Sequence, residues 1–179
     1  MRQLDETAAV LQSLRGVWDE EAVDELDHAL QSAARAIDDG ADDELVLAAA
    51  LHDVGHSPLL SAGPDADTYL HHDRTAHDWL TERFGARVGW LAGAHVAAKR
   101  FLAATDPGYQ LSETSEISLA AQGGAVVDEQ YTAHPWWPDA IRLRRYDDAA
   151  KDPAARGVAI GDVLAVAERI LILQQSNSS

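Results

Sequence analysis

The chain has 179 residues, a length that fits one domain built around one hydrophobic core. Apolar residues make up 46% of it and cysteine is absent, which excludes a disordered chain, disulfides, zinc–thiolate sites and a cysteine nucleophile. The net charge of −16 repels the phosphates of nucleic acids and anionic membranes, so neither is expected as a partner. The sequence contains no signal-peptide pattern and no apolar run of about 18 residues, which predicts a cytoplasmic protein.

Apolar residues recur at helical spacing in the first half of the chain. One stripe predicts a helix over residues 20–39, with Asp19 as its N-cap and Gly40 as its end; it consists of Val23, Leu26, Leu30, Ala33 and Ile37. Residues 43–54 are almost wholly apolar before His52, which predicts a buried central helix.

The same spacing predicts five more helices. They cover residues 68–84, 86–104, 112–122, 138–150 and 161–175, and Ser112 is a suitable N-cap for the third of these. Residues 57–67 and 123–138 are predicted to be irregular because glycine and proline interrupt them. Alternating strand patterns are absent. We therefore predict an all-α helical bundle that forms a single domain over residues 1–179, with its site within about 16–150.

The pair His52-Asp53 ends the predicted buried helix. Ionisable groups at such a position are costly unless they are hydrogen-bonded or bound to a metal. The two carboxylate oxygens of Asp53 can bridge two metal ions, which a histidine cannot do. His28 lies opposite the centre of the apolar stripe of its own helix, so on its own it favours a solvent-exposed position, unless that polar face lines a cavity.

Three further residues complete a possible ligand set. His72 shares a helix face with Ala76 and Trp79, which indicates that it points inward, whereas the adjacent His71 points elsewhere. His95 is surrounded by small residues and has Lys99 one turn further along its face. Asp147 has Arg144 three residues earlier, a pair that equally fits a surface salt bridge.

The ordered set His28, His52, Asp53, His72, His95 and Asp147 supplies four imidazoles and two carboxylates from separate helical segments. That ligand set suits two first-row metal ions with coordination positions left for a substrate or for oxygen. A mononuclear site would need only His28, His52, Asp53 and Asp147, so the two additional histidines favour a second metal.

Several longer motifs resemble the HD-domain superfamily, and within it the mixed-valent diiron oxygenases that cleave phosphonates. The resemblance spans about residues 16–150. It rests on Leu26-Asp27-His28-Ala29-Leu30-Gln31, on Leu51-His52-Asp53-Val54-Gly55-His56, on Gln122-Gly123-Gly124 and, most specifically, on the run from His95 to Leu102.

The resemblance implies two iron ions, Fe(II)/Fe(III), with O2 as co-substrate. One iron would be held by His28, His52, Asp53 and Asp147, and the other by His72, His95 and the bridging Asp53. Asp53, His56 and Lys99 would be catalytic. The phosphonate of a small substrate would lie near His56, Lys99, Ser115 and Arg144, which are donors suited to a tetrahedral anion. Glu21 would approach a substrate amine.

The chain departs from the family at Trp18, where the family has a tyrosine that helps to close the iron site. The Trp18 ring would form a wall of the substrate cavity, stack on an alkylated ammonium group, or simply pack into the bundle. Three functions follow from these residues: an oxygenase that cleaves a carbon–phosphorus bond, an HD-type metal-dependent phosphohydrolase, and a non-catalytic binding protein. The His95–Leu102 run and Gln122-Gly123-Gly124 favour the oxygenase.

Overall fold

A computed structural model describes residues 2–18, 22–60 and 71–177. Within these ranges the protein is helical and contains no strand, which confirms the all-α prediction. Nine helices are described: α1 (Arg2–Ser13), α2 (Glu25–Asp38), α3 (Asp43–Leu51), α4 (His72–Phe84), α5 (Ala86–Thr105), α6 (Glu113–Ala121), α7 (Glu129–Thr132), α8 (Trp137–Ala149) and α9 (Ile160–Asn177). A single 3-10 turn (Val54–His56) follows α3. Among the described residues, no helix combines the length and apolar character needed to cross a membrane.

Helix α3 is the centre of the bundle, as its composition predicts. All seven residues from Leu45 to Leu51 are buried, and α3 packs against α2, α5, α8 and α9. A short helix that is apolar on every side is stable only when other helices surround it. The end of α3 therefore lies deep in the molecule, and His52 and Asp53 are held there.

Helix α2 begins later than predicted, at Glu25 rather than residue 20. The carboxylate of Asp24 accepts hydrogen bonds from the main-chain N–H groups of Asp27 and Gly16, and it also accepts one from Arg15. Because the side chain of Asp24 satisfies the first N–H groups of the helix, α2 begins directly after it. The predicted cap, Asp19, lies outside the described residues. The predicted end is confirmed, since α2 stops at Asp38 and Gly40 has a φ of +67°.

The exposed position favoured for His28 is wrong, because its side chain is 1% exposed. Helix α2 packs against α3 on one side and against α8 on another, so its polar face is also covered. The apolar stripe is less well covered near the C-terminal end of the helix, where Ile37 is 44% exposed. A helix between two partners has two buried faces, and only one of them needs to be apolar if the other lines a polar site.

The remaining bounds agree with the prediction to within one or two residues, except that α3 ends at Leu51 rather than residue 54 and that three further differences occur. Helix α1 had not been assigned, although it carries the buried residues Val10 and Leu11. Helix α4 begins at His72, and the start predicted for it at residue 68 lies outside the described residues. The predicted irregular stretch 123–138 contains the short helix α7. Ser112 caps α6 as predicted, its side chain accepting a hydrogen bond from the N–H of Ser115.

Candidate metal centre and cavity

Four ligand-type side chains meet where α2, α3 and α8 converge, and we call them the first cluster: His28, His52, Asp53 and Asp147. The Nε2 atom of His28 is 3.4 Å from an oxygen of Asp53 and 3.4 Å from an oxygen of Asp147. The Nε2 atom of His52 is 3.0 Å from Asp53 and 3.3 Å from Nε2 of His28. Ligand atoms this close together on buried side chains can hold a metal ion.

A second cluster lies on the other side of Asp53. His72 begins α4 and His95 lies in α5, and their Nε2 atoms are 3.1 Å apart. Each Nε2 is 3.4 Å from Oδ1 of Asp53, whereas His28 and His52 contact Oδ2 of the same carboxylate. Asp53 therefore directs one oxygen at each cluster, which is the arrangement of a bridging ligand.

Main-chain carbonyls orient three of the imidazoles. The Nδ1 contacts are His28 to Ala150 at 3.0 Å, His52 to Ala49 at 2.9 Å and His95 to Ala92 at 2.6 Å. A carbonyl can only accept, so each Nδ1 carries a proton and donates it, and Nε2 is the nitrogen that each of these rings directs at the cluster. The Nε2 atoms of neighbouring imidazoles then face each other, and each can give its lone pair to a metal cation in place of a proton.

The charges of the clusters also suit a metal cation. Burial opposes ionisation of Asp53, but the charge of His52 and hydrogen bonds from His28 and His52 hold the pKa of Asp53 well below its usual value. Asp147 behaves similarly: burial opposes its charge, and Arg144 and Lys151 outweigh that effect and lower its pKa. Burial holds the pKa of His95 well below normal. Two carboxylates and a neutral imidazole are the forms that bind metals.

His56 lies beside the second cluster. Its ring stacks on that of His72, with centroids 4.3 Å apart and planes inclined by 23°. Ligand atoms of Asp53, His56 and His72 lie within 4.8 Å of one another, so these three residues could also hold an ion. His56 thus lies beside the possible metal ligands Asp53 and His72 and lines the adjoining cavity.

Gly55 permits the second cluster to form. A Cβ atom at this position would lie 2.1 Å from the main-chain oxygen and 2.6 Å from the Cα of His72, far inside van der Waals contact. The turn that follows Asp53 therefore touches the first residue of α4. Only glycine lets the backbone that carries His72 come this close to Asp53.

A cavity of about 220 Å³ adjoins both clusters. Helix α6 forms one wall of it through Thr114, Ser115, Ile117 and Ser118. The remaining lining comes from the two clusters and from His56, Lys99, Ala121, Gln122, Arg144 and Lys151. A molecule in this cavity can therefore contact both the metal-ligand clusters and the cationic side chains.

The cations of the cavity have different surroundings. Lys99 is 5% exposed, its Nζ donates to Oγ of Ser118 at 2.9 Å, and burial followed by repulsion from Arg144 lowers its pKa to about 8. Arg144 is equally buried, but its guanidinium contacts Asp147 at 2.5 Å, Asp148, and the hydroxyl of Tyr109 at 2.9 Å. The surface salt bridge considered for Arg144 and Asp147 is wrong, because both side chains are buried inside the site.

Two curated proteins of known name are similar to most of this chain. A hydroxymethylphosphonate dioxygenase from Gimesia maris is 33% identical over 153 residues, which cover 80% of this chain and 74% of that protein. A glycine-betaine-forming (1-hydroxy-2-(trimethylamino)ethyl)phosphonate dioxygenase from Leisingera caerulea is 34% identical over 140 residues, 73% of this chain and 70% of that protein. This chain belongs to the HD-domain phosphonate dioxygenase family.

The family resemblance that the motifs indicated is thereby confirmed. An uncharacterized protein of Acanthamoeba polyphaga mimivirus is also similar, with 32% identity over 142 residues, 73% of this chain and 64% of that protein. No protein-family model matches the chain.

In this member of the phosphonate dioxygenase family, the six predicted ligands lie together at the two clusters, and His56, Lys99, Ser115 and Arg144 line the adjoining cavity. Trp18 is 61% exposed and is not among the described residues that line the cavity. Glu21 lies outside the described residues. The sequence interpretation missed Ser118 and Lys151, which also line the cavity. Helical spacing offered a signal for Ser118, which is three residues after Ser115, but Lys151 lies beyond the predicted helix 138–150.

Replacing Gly55 tests the close approach that the phosphonate dioxygenase site requires. We expect Gly55→Ala to push His72 away from Asp53, because the added Cβ overlaps the backbone of α4. Metal bound per chain, measured by elemental analysis, should fall below the wild-type value while the helical circular dichroism spectrum stays the same. Gly161→Ala is the matched control, since nothing lies within 4 Å of a Cβ there. Wild-type metal content in Gly55→Ala would contradict the expectation.

Proposed function

We propose that this protein is an O2-dependent oxygenase that cleaves the carbon–phosphorus bond of a small 1-hydroxyphosphonate and releases phosphate and a carboxylate. Family membership supports this proposal, since two relatives are named for reactions on hydroxyphosphonates. The observation that carries it is that one cavity is lined both by the metal-ligand clusters and by buried cations. An anionic group and the carbon beside it can then be bound at the same time.

Two iron ions are the metals we propose. His28, His52, Asp53 and Asp147 would hold one of them, and His72, His95 and Asp53 the other. Imidazoles and carboxylates in this ratio suit iron that must keep open coordination positions. Iron supplies the redox chemistry with O2 that amino-acid side chains lack.

The chain's own groups bind and orient the substrate. Lys99 and the hydroxyl groups of α6 neutralise and hydrogen-bond the phosphonate oxygens at one end of the cavity. His56, beside Asp53 and His72, faces the reacting end. The overall reaction balances with one O2, because RCH(OH)PO3H2 and O2 together contain the atoms of RCOOH and H3PO4. No external reductant is required.

The size of the cavity favours a short substrate. About 220 Å³ is below the range of about 300–1,000 Å³ that is usual for pockets that bind drug-sized ligands. Hydroxymethylphosphonate, 2-amino-1-hydroxyethylphosphonate and its trimethylammonio analogue are therefore the substrates to compare. They share the 1-hydroxyphosphonate group and differ in what C1 carries besides it, which is hydrogen, an aminomethyl group or a trimethylammoniomethyl group.

A substrate panel tests the proposed reaction. Iron-loaded protein should release phosphate from at least one of the three hydroxyphosphonates and consume one O2 per phosphate, measured with an oxygen electrode and a phosphate assay. Phosphate release under argon, or from a simple phosphate monoester, would instead indicate the metal-dependent phosphohydrolase. A compound without the 1-hydroxyl group, methylphosphonate, is the matched negative control.

The number of metal ions tests the role of Asp53. Asp53→Ala should lose both ions because it removes an oxygen from each cluster, whereas His72→Ala should retain about one ion per chain. His71→Ala is the control, since His71 is exposed and precedes the ligand by one residue. Metal content measured by elemental analysis after anaerobic loading distinguishes these outcomes. If His72→Ala binds as much metal as wild type, the second ion is not where we propose it.

The low pKa of Lys99 predicts a pH dependence of substrate binding. Lys99 carries its charge below pH of about 8 and loses it as the pH rises through that value, so the attraction for an anion disappears above it. KM should therefore rise from pH 7 to pH 9.5 while metal content stays constant. Lys99→Arg keeps its charge across this range, and its KM should be nearly flat. The same rise in Lys99→Arg would assign the titration to another group.

A further inference from the structure

The segment that joins α8 to α9, residues 150–159, lies against helix α2, and we call it the α8–α9 connection. The main-chain N–H of Val158 donates to the carbonyl of Leu30 at 3.2 Å. A Cβ atom at Gly157 would lie 2.5 Å from the carbonyl carbon of Leu30, far inside van der Waals contact. The connection can therefore approach α2 this closely only because residue 157 is glycine.

The side-chain amide of Gln31, the last residue of the first family motif, binds the same connection. Its Nε2 donates to the main-chain oxygen of Asp152 at 2.9 Å and to that of Ala155 at 3.4 Å. Its Oε1 accepts a hydrogen bond from the main-chain N–H of Asp152 at 3.3 Å. Gln31 is 3% exposed. Because both the donor and the acceptor of the amide contact one residue, they fix the orientation of the backbone there as well as its position.

The carbonyl of Ala150, two residues before Asp152, contacts a predicted metal ligand. It accepts a hydrogen bond from Nδ1 of His28 at 3.0 Å. Helix α8 ends at Ala149, and the last carbonyls of a helix have no partner within it. The direction of the Ala150 carbonyl therefore depends on the chain that follows, which is the part that Gln31 holds.

We propose that Gln31 is a positioning residue for the first cluster, which acts on His28 through the carbonyl of Ala150. That carbonyl holds the His28 ring so that Nε2 is directed at Asp53 and Asp147. Neither the ligand set implied by the resemblance nor the names of the relatives give Gln31 a role. The inference rests on the proposed function only in that the first cluster holds a metal ion.

The contacts form a closed ring that starts and ends on one face of α2. His28 and Gln31 are three residues apart, so they are neighbours on that face. Rotation of the His28 ring would break its hydrogen bond to Ala150, and displacement of Ala150 would strain the contacts between Asp152 and Gln31. The ring of contacts thus restricts an imidazole more than a single hydrogen bond does.

His28 differs from the other two imidazoles that main-chain carbonyls orient. The carbonyl that contacts His52 belongs to Ala49, three residues earlier in α3. The carbonyl that contacts His95 belongs to Ala92, three residues earlier in α5. Those two contacts form within one helix, whereas the carbonyl that orients His28 is supplied by the α8–α9 connection. Loss of the amide contacts should therefore disturb the first cluster and leave the second in place.

Titration with Fe(II) under argon tests this asymmetry. Gln31→Met keeps the length of the side chain but removes its amide group. We expect it to weaken binding of the first-cluster ion by about 10- to 100-fold, the usual effect of removing a group that orients a metal ligand. The second ion should weaken by less than about threefold. In His72→Ala, where only the first cluster is complete, addition of Gln31→Met should weaken the remaining ion by the same factor.

Arg35→Met is the matched control, because it changes an exposed side chain one turn further along α2. It should leave the affinity for both ions at the wild-type value. Unchanged Fe(II) affinity in Gln31→Met, or equal weakening of both ions, would overturn the positioning role.

The Nδ1 proton of His28 gives a readout that requires neither metal nor turnover. In metal-free protein we expect nuclear magnetic resonance to detect a protected imidazole N–H signal that is absent from His28→Ala. Gln31→Met should accelerate the exchange of this proton with water by at least about tenfold, since the carbonyl that holds it is released. Arg35→Met should not change the exchange rate. Wild-type exchange in Gln31→Met would contradict the inference.

Gly157→Ala displaces the α8–α9 connection while the amide of Gln31 stays intact. The added Cβ overlaps the backbone of α2, so we expect the same loss of first-ion affinity and the same faster proton exchange. Because both substitutions act through one contact, their combination should weaken the ion by less than the product of the separate factors. Gly161→Ala, with nothing within 4 Å of its Cβ, is the control. Full multiplication of the two factors would show that Gln31 acts by another route.

The oxygen-electrode panel separates this inference from the proposed function. If the first ion weakens in Gln31→Met but wild-type protein consumes no O2 with any hydroxyphosphonate, the positioning role stands and the oxygenase proposal fails. If wild type turns over a hydroxyphosphonate and Gln31→Met binds both ions as wild type does, the oxygenase proposal stands and this inference fails.

Discussion

Asp53 shares its carboxylate between two pairs of imidazoles, and the bundle is arranged around that contact. One oxygen lies near His28 and His52 and the other near His72 and His95. The position depends on α3, whose buried apolar run from Leu45 to Leu51 places the His-Asp pair at the centre of the molecule. It depends equally on Gly55, because a side chain there would keep α4 from reaching Asp53. Burial of the apolar helix α3 thus places the site deep in the bundle, and the absence of a side chain at Gly55 allows α4 to approach Asp53.

The charged groups around this carboxylate have different partners. The imidazoles and carboxylates of the clusters contact one another. Arg144 is held between Asp147, Asp148 and Tyr109. Lys99 and Lys151 contact α6 through serine hydroxyl groups. A buried arginine that is paired with two carboxylates fixes the orientation of both.

The sequence was sufficient to predict the elements whose pattern is strong. The apolar run of α3 and the cap of α6 were read correctly, because composition and capping act locally. The burial of His28 was not predictable from its own helix, since it depends on α8 covering the polar face. Lys151 was missed for a related reason. It follows the end of α8, so helical periodicity no longer specified the direction of its side chain.

The sequence motifs predicted more of the site residues than helical periodicity did. The His-Asp pair and the run from His95 to Lys99 named residues that the fold brings to one cavity, although they are far apart in sequence. The groups that orient these imidazoles could not be predicted from motifs. Main-chain carbonyls such as those of Ala92 and Ala150 bear no residue-specific signal, yet they fix the imidazole protons. Contacts to the backbone therefore remain the part of a site that only a structure reveals.

Helix α6 differs from the other walls of the cavity in what fastens it. Ser115 is its only described residue that is buried, and Ile117 on the same helix is 67% exposed. Its attachment therefore owes little to apolar burial and much to the two lysines beneath it. An anion that bound beside those lysines would stabilise the docked position of α6 by mass action, so the free energy of local unfolding of this helix would increase with the logarithm of anion concentration. Amide hydrogen exchange in α6 would then measure ligand occupancy, whereas exchange in α3 would measure only the global stability of the bundle.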